Sequence, residues 1–283
     1  MAIIKTENLT YVYGEGTPFR KVAVDDVNLE IEEGEMVGVI GHTGSGKSTL
    51  IQHFNGLLQP TAGKIYIDGE ELWKEKSRLR EIRFKVGLVF QYPEYQLFEE
   101  TCYKDIGFGP KNMGLSEEEI DKRVRETARL VGLDERILKK SPFELSGGQK
   151  RRVAIAGVMA MNPKILILDE PASGLDPKGR DKILGLIKEY HQEKKNTVML
   201  VSHSMEDVAK NASKILVMNK AKLFCYDETE KVFHRADELT QMGLAVPQIT
   251  RVFNRLKTAG VDINDDVYTL KYGTRLLLDI LKK

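Results

Sequence analysis

The sequence predicts an α/β fold organised around a mainly parallel sheet, and three observations predict it. Short apolar runs of strand length recur at 36–40, 86–90, 165–168, 198–201 and 215–218, the pattern of strands covered on both faces. Helical patterns fall between several of them, so successive strands need crossovers and lie parallel. The first of these runs ends in a glycine-rich loop that opens a helix, the layout of a phosphate-binding turn.

The N-terminal third is rich in short β runs. Val27, Leu29 and Ile31 alternate with Asn28, Glu30 and Glu32, the period of a half-buried strand. Residues 36–40 predict a strand buried on both faces, followed by a helix from Thr49 to about Phe54. Residues 64–69 read as a strand ending in a turn, and 86–90 as a further buried strand. The middle turns helical: Ser116 and Glu119 have capping-box spacing, and Ile120, Val124, Ala128 and Val131 then line one helix face. Residues 153–161 have no polar side, which predicts a deeply packed helix. Strand 165–168, a polar helix over about 178–193 and strands 198–201 and 215–218 follow. The helical stretch near 95–160 interrupts the sheet and predicts an inserted subdomain. The unit built on this sheet then covers 1–243. An extension at 244–283 carries Ile249, Phe253 and Leu256 at helical spacing, then apolar Leu276, Leu277, Leu278, Ile280 and Leu281.

Composition narrows the function. Lys plus Arg number 43 and Asp plus Glu 42 in 283 residues, for a net charge of +1. That balance offers no field to a nucleic-acid backbone. Cys102 and Cys225 show neither metal-ligand nor redox spacing, as suits a reducing cytoplasm. The longest apolar run, 153–161, is far short of the ~20 residues a bilayer requires. The N-terminus has no signal-peptide layout. Work at a membrane is therefore expected to proceed by docking on a partner.

The glycine-rich loop is Gly41-His42-Thr43-Gly44-Ser45-Gly46-Lys47-Ser48-Thr49. Its glycines let the backbone curl so that N–H groups converge on phosphate oxygens, and the helix start adds partial positive charge. Lys47 is expected to bridge the outer phosphates of a nucleotide and the Ser48 hydroxyl to ligate Mg²⁺. Asp169 follows strand 165–168, at the carboxyl end where open α/β sheets place ligands, and suits Mg²⁺ held through water. Glu170, one residue on, points elsewhere and suits polarisation of the attacking water. His203 lies past strand 198–201, where it can bond the γ-phosphate and orient the water and Glu170. Gln91 lies past strand 86–90, where its amide can reach Mg²⁺ or the lytic water and its loop opens the helical insert.

Leu145-Ser146-Gly147-Gly148-Gln149 is the signature sequence of ABC transporter ATPases, and the chain resembles that family from about Ile3 to Met218. The resemblance implies a P-loop NTPase fold of RecA-like core, antiparallel β subdomain, inserted α-helical subdomain and small C-terminal extension, with ATP and Mg²⁺ as ligands. It puts Tyr13 at the adenine-stacking position and Ser173-Gly174-Leu175-Asp176 at the D-loop. Gln91, Asp169, Glu170 and His203 match the Q-loop, Walker B aspartate, catalytic glutamate and H-loop. Ser146 and the glycines open a helix near Gln149, so its N–H groups face outward. In a head-to-tail dimer with two-fold symmetry each signature meets ATP held by the other subunit.

A narrower resemblance lies in Phe90-Gln91-Tyr92-Pro93-Glu94-Tyr95-Gln96-Leu97-Phe98 and Asp105-Ile106-Gly107-Phe108-Gly109-Pro110. With Gly41-His42-Thr43, these residues are similar to ATPases of energy-coupling factor importers. That resemblance implies a second ABC ATPase as partner, favouring a heterodimer over a homodimer. It also implies a transmembrane coupling protein gripped near Gln91 to Phe98, and a membrane substrate-binding component for vitamins or cobalt and nickel ions. The place of work would be the cytoplasmic face of the membrane. The tail is expected to pack on the core or a sister ATPase. A DNA-repair or chromosome-maintenance ATPase is the alternative. It would carry a long coiled coil between Walker motifs, whereas here about a hundred residues without sustained heptads separate Lys47 from Ser146.

Overall fold

The computed structural model describes residues 2–263 and 267–281. The chain begins with β1 (Ala2–Tyr13) and β2 (Lys21–Glu32), which pair antiparallel. The alternation read from β2 is real: Val27, Leu29 and Ile31 are buried while Asn28, Glu30 and Glu32 are exposed. β3 (Met36–Ile40), buried at every residue, leads through the glycine loop into α1 (Lys47–Phe54). β4 (Ala62–Ile67) returns to pair with β1, and β5 (Glu70–Glu71) pairs with β4. These four strands form one antiparallel sheet in the order β2-β1-β4-β5.

After α2 (Leu79–Lys85) comes β6 (Val86–Val89), one residue shorter than its apolar run. The chain then leaves the sheet for α3 (Cys102–Asn112), α4 (Glu117–Leu130), α5 (Glu135–Leu138) and α6 (Gly147–Met159). It rejoins as β7 (Ile165–Asp169), α7 (Pro177–Lys194), β8 (Thr197–Val201), α8 (Met205–Asn211), β9 (Lys214–Asn219) and β10 (Lys222–Glu228). The second sheet runs β10-β9-β3-β8-β7-β6. Its members from β9 to β6 pair parallel, and only β10 is antiparallel.

The parallel sheet separates two cores. Ile165 and Ile167 pack toward the antiparallel sheet, with Ile4, Leu9, Phe54 and Ile65. Leu166 and Leu168 point the other way, onto Val153 and Ala156 of α6 and Ile183 of α7. Period-2 burial on both faces explains why these runs are wholly apolar. α6 is correspondingly submerged, with no residue of 153–161 exposed. In α4 the Ser116 hydroxyl accepts the Glu119 N–H, but the Glu119 carboxylate turns to Arg123 at 2.8 Å rather than completing a box. The reciprocal box forms at α6, between Ser146 and Gln149.

A third core, around Ile40, Val208, Ile215, Phe233 and Leu239, seats α9 (Thr229–His234) and α10 (Ala236–Gln241). The remaining helices are α11 (Gln248–Thr258) and α12 (Leu270–Leu281). Phe253 is fully buried, Thr250 donates to the Val267 carbonyl at 2.6 Å, and Tyr268 stacks on Phe233. Ile280 and Leu281, part of the apolar tail, lie outside the residues whose side chains are described.

The β9–β10 turn bears on the site because it props the glycine loop. Ala221 donates its N–H to Ser45 at 3.1 Å and accepts that of Asp25 at 2.8 Å. Lys220 and Ala221 have φ of 46° and 68°, a hairpin geometry in which glycine is the relaxed choice. Ala221→Gly is expected to raise stability by about 0.5–1 kcal/mol, strain relief exceeding the entropy glycine adds to the unfolded chain. An unchanged or lower urea midpoint would show the alanine to be at ease there.

Candidate nucleotide site

Strand register assembles the site. Val39 pairs with Val201, Val201 with Asp169, and Leu168 with Val89. The carboxyl ends of β3, β8, β7 and β6 are therefore level. Their loops place the glycine loop, His203, Asp169 with Glu170, and Gln91 in one row. This is the end of a parallel sheet at which ligands bind.

In the glycine loop, Gly46 has φ of 103°, and a Cβ there would meet the Ala23 carbonyl oxygen at 2.2 Å. Gly44 has φ of 80° with open space within 4 Å of a Cβ position, the room a phosphate needs to approach backbone N–H groups. Lys47 is 6% exposed and donates to the carbonyls of Gly41 at 2.6 Å and His42 at 3.1 Å. Burial pulls its ammonium below the usual lysine range, and the carboxylates of Glu170 and Asp169 partly restore it. His42 bridges the Thr43 carbonyl and Asn219.

Asp169 is 9% exposed, with the Ser48 side chain near enough to act on its carboxyl. Burial raises its carboxyl, while Ser48 and Lys47 lower it. Glu170 has a left-handed φ of 53°, a conformation that costs a non-glycine residue energy and survives only where surroundings enforce it. That twist turns Glu170 toward His203, its Oε1 3.5 Å from Nε2. Burial and the Asp169 charge push Glu170 to about 7, against the His203 backbone and Lys47. Burial, then Lys47, hold His203 below the usual histidine range.

Among the described residues, Ser45 Oγ and Glu170 Oε1 are buried without a hydrogen-bond partner. Leaving such atoms unmatched costs about 1–3 kcal/mol each. A phosphate oxygen suits the serine hydroxyl and a water suits the carboxylate, so the residues fit a bound triphosphate. No cluster of three His, Cys, Asp or Glu side chains forms a metal site among the described residues. Ser48 with Asp169 instead fits Mg²⁺, which takes few protein ligands and completes its shell with phosphate and water.

Tyr13 reaches this site from the other sheet. It is 40% exposed, its hydroxyl 3.3 Å from Thr49 Oγ1, its ring edge-on to Tyr11 at 4.8 Å. Gln91 is exposed at the rim, beside Tyr92 with φ of 55°. Asp176 caps α7, its Oδ1 accepting the Gly179 N–H at 3.0 Å. The signature stands apart on the helical insert. Ser146 and Gln149 bond each other, and Ser146, Gly147 and Gly148 are exposed at the start of α6.

An ABC transporter family model matches residues 24–173, over half of the chain. Energy-coupling factor transporter ATP-binding protein EcfA2 of Clostridium tetani is 60% identical, over 98% of this chain and 96% of that one. Its namesake in Clostridium acetobutylicum is 58% identical, over 99% and 98%. The chain belongs to the ABC transporter family, in its energy-coupling factor ATP-binding branch. Among solved structures, cbiO1 of Clostridium perfringens, described as part of the ABC transporter complex cbiONQ, matches with TM-score 0.76 and 37% identity. That match covers 89% of this chain and 99% of that one. A dimeric bacterial ABC transporter cassette, MJ0796, matches with TM-score 0.71 and 34% identity, over 80% and 98%.

The ABC fold reveals residues that sequence reasoning passed over. Arg180, at the start of α7, shares its Nε–H between the two Asp207 oxygens at 2.9 and 2.8 Å and donates from Nη2 to Ser204. It thereby ties the helix capped by Asp176 to the segment next to His203. Arg151, on α6, is buried against Glu94. Both pairs join residues distant in sequence, so no local spacing announces them.

Proposed function

We propose that this chain is the engine subunit of an energy-coupling factor importer at the cytoplasmic face of the membrane, hydrolysing ATP with Mg²⁺. The reading rests on one observation: phosphate cradle, carboxylates and His203 line up at the carboxyl end of one parallel sheet, while the outward signature helix start lies on the helical insert. A cradle without its own signature calls for a second subunit to complete it.

Tyr13 stacks the base, the backbone N–H groups of 44–48 and Lys47 hold the phosphates, and Ser45 donates to a phosphate oxygen. Ser48 and Asp169 would hold Mg²⁺, which would supply charge neutralisation to the phosphates. Glu170 accepts a hydrogen bond from the attacking water and His203 fixes its direction and the γ-phosphate. The sister's Ser146-type helix start then stabilises the charge on the transferring group.

The signature of this chain serves the sister site in return. The partner is a non-identical ABC ATPase. Exposed Val252, Leu270 and Leu278 of the extension supply apolar surface to it. Tyr95, 84% exposed, with Phe98 and Phe108 forms the aromatic surface that receives the membrane coupling protein. No described helix is long and apolar enough to cross a membrane. Cargo choice, a vitamin or cobalt and nickel ions, belongs to a membrane component.

Purification from native membranes through this chain is expected to recover a second ABC ATPase and a membrane coupling protein. Recovery of cytosolic partners alone would remove the importer reading.

A further inference from the structure

Arg151 lies one turn inside α6, yet it is only 3% exposed. Its Nε and Nη2 donate to the two Glu94 oxygens at 2.9 and 2.6 Å. Nη1 donates to the carbonyls of Ser173 at 2.5 Å and Pro171 at 3.4 Å. The guanidinium carbon lies 5.9 Å from the centre of the Tyr92 ring. That same ring stands 3.9 Å from the Cβ position of Gly174. One side chain thus holds three segments together: the signature helix, the turn after Gln91, and the loop between Glu170 and Asp176.

Burying this ion pair is costly, and an apolar pair of similar volume would hold the fold equally well or better. What the pair supplies is geometry. A planar fork fixes distance and angle to a carboxylate and to carbonyls together, which neither lysine nor a hydrophobe can do. Backbone strain sits at both ends of the linkage, with φ of 55° at Tyr92 and 53° at Glu170, and such conformations depend on their neighbours.

We propose that Arg151 is a positioning residue that makes the Gln91 turn, the signature helix and the loop after Glu170 move as one body. Movement of the Gln91–Phe98 segment is thereby passed at once to the chain's own glutamate and to the signature offered to the sister site. The inference rests on the reading of Ser146 as completing that sister site. The Arg151–Glu94 fork is its specific addition.

The test uses the transporter complex purified from membranes. Arg151→Met/Glu94→Leu replaces the ion pair by an apolar one. It is expected to melt cooperatively near the wild-type temperature. Its kcat for ATP should fall at least about tenfold, with KM changed by less than about threefold. Arg151→Lys keeps the charge without the fork and should fail to rescue kcat. Wild-type kcat in a cooperatively folded double variant overturns the proposal. Should the double variant not fold, Glu94→Gln carries the test: the same kcat loss supports the linkage, and unchanged kcat overturns it. Ser146→Arg separates the two ideas. If it abolishes hydrolysis while the Arg151 variants do not, only the linkage falls. If it hydrolyses ATP normally, the signature reading itself falls, and this inference with it.

Discussion

Glu170→Gln is expected to bind ATP with near-normal affinity and to hydrolyse it at least about a hundredfold more slowly, the scale of a lost positioned base. The amide keeps the size of the carboxylate and the left-handed backbone, so the glycine loop, Lys47 and Ser48 remain as they are. What it loses is an anionic oxygen, now 3.5 Å from His203 Nε2, that can accept from water. Removing the charge also removes repulsion from Asp169, which after burial is the largest of the causes that push Glu170 to about 7. Thermal stability should therefore hold or rise slightly. ATP-bound dimers should accumulate and be visible by size-exclusion chromatography. Near-normal single-turnover phosphate release in the assembled transporter would take Glu170 out of the catalytic role.

Gly46→Ala should instead strike nucleotide binding itself. The new methyl would stand 2.2 Å from the Ala23 carbonyl oxygen, a backbone atom of β2, at a φ of 103°. Neither side can yield cheaply. The loop must shift, and with it the first turn of α1, which carries Lys47 and Ser48. A loss of about 2 kcal/mol or more in stability follows from strain of this kind, and ATP affinity should fall at least about a hundredfold as converging N–H groups are misaligned. Isothermal titration at matched temperature measures it. Affinity within threefold of wild type would show that the cradle does not depend on this close approach.

Much of the candidate site was legible as a set of residues, because most of the candidate groups sit at a strand end marked by an apolar run. Gly41 to Thr49, Asp169, Glu170 and His203 all follow such runs, and a run of residues buried on both faces is unmistakable. That Ser146 and the glycines open a helix was likewise legible locally. The carboxyl ends of the strands that were read fell within two residues, β6 stopping at Val89 where the apolar pattern continues to Phe90, whereas β2 begins at Lys21, six residues before its alternation was read. β1 and β10 were not read individually. β1 carries register shifts that break its alternation, and β10 is an edge strand of partly buried residues. The capping box was assigned to Ser116, whereas the complete one belongs to Ser146, since Arg123 lies close enough to claim Glu119.

By itself the sequence determined the identities and the order of the chemical groups, because turns, caps and buried strands obey short-range rules of sterics and hydrogen bonding. The order β3-β8-β7-β6, and hence which loop ends stand side by side, was decided only in three dimensions. So were the Arg151–Glu94 and Arg180–Asp207 pairs, whose partners are 57 and 27 residues apart. Charges on a helix face look alike in sequence whether they meet water or a partner. Only the packing of the insert against the sheet, which excludes water around Arg151, makes its fork selective for one carboxylate and two carbonyls.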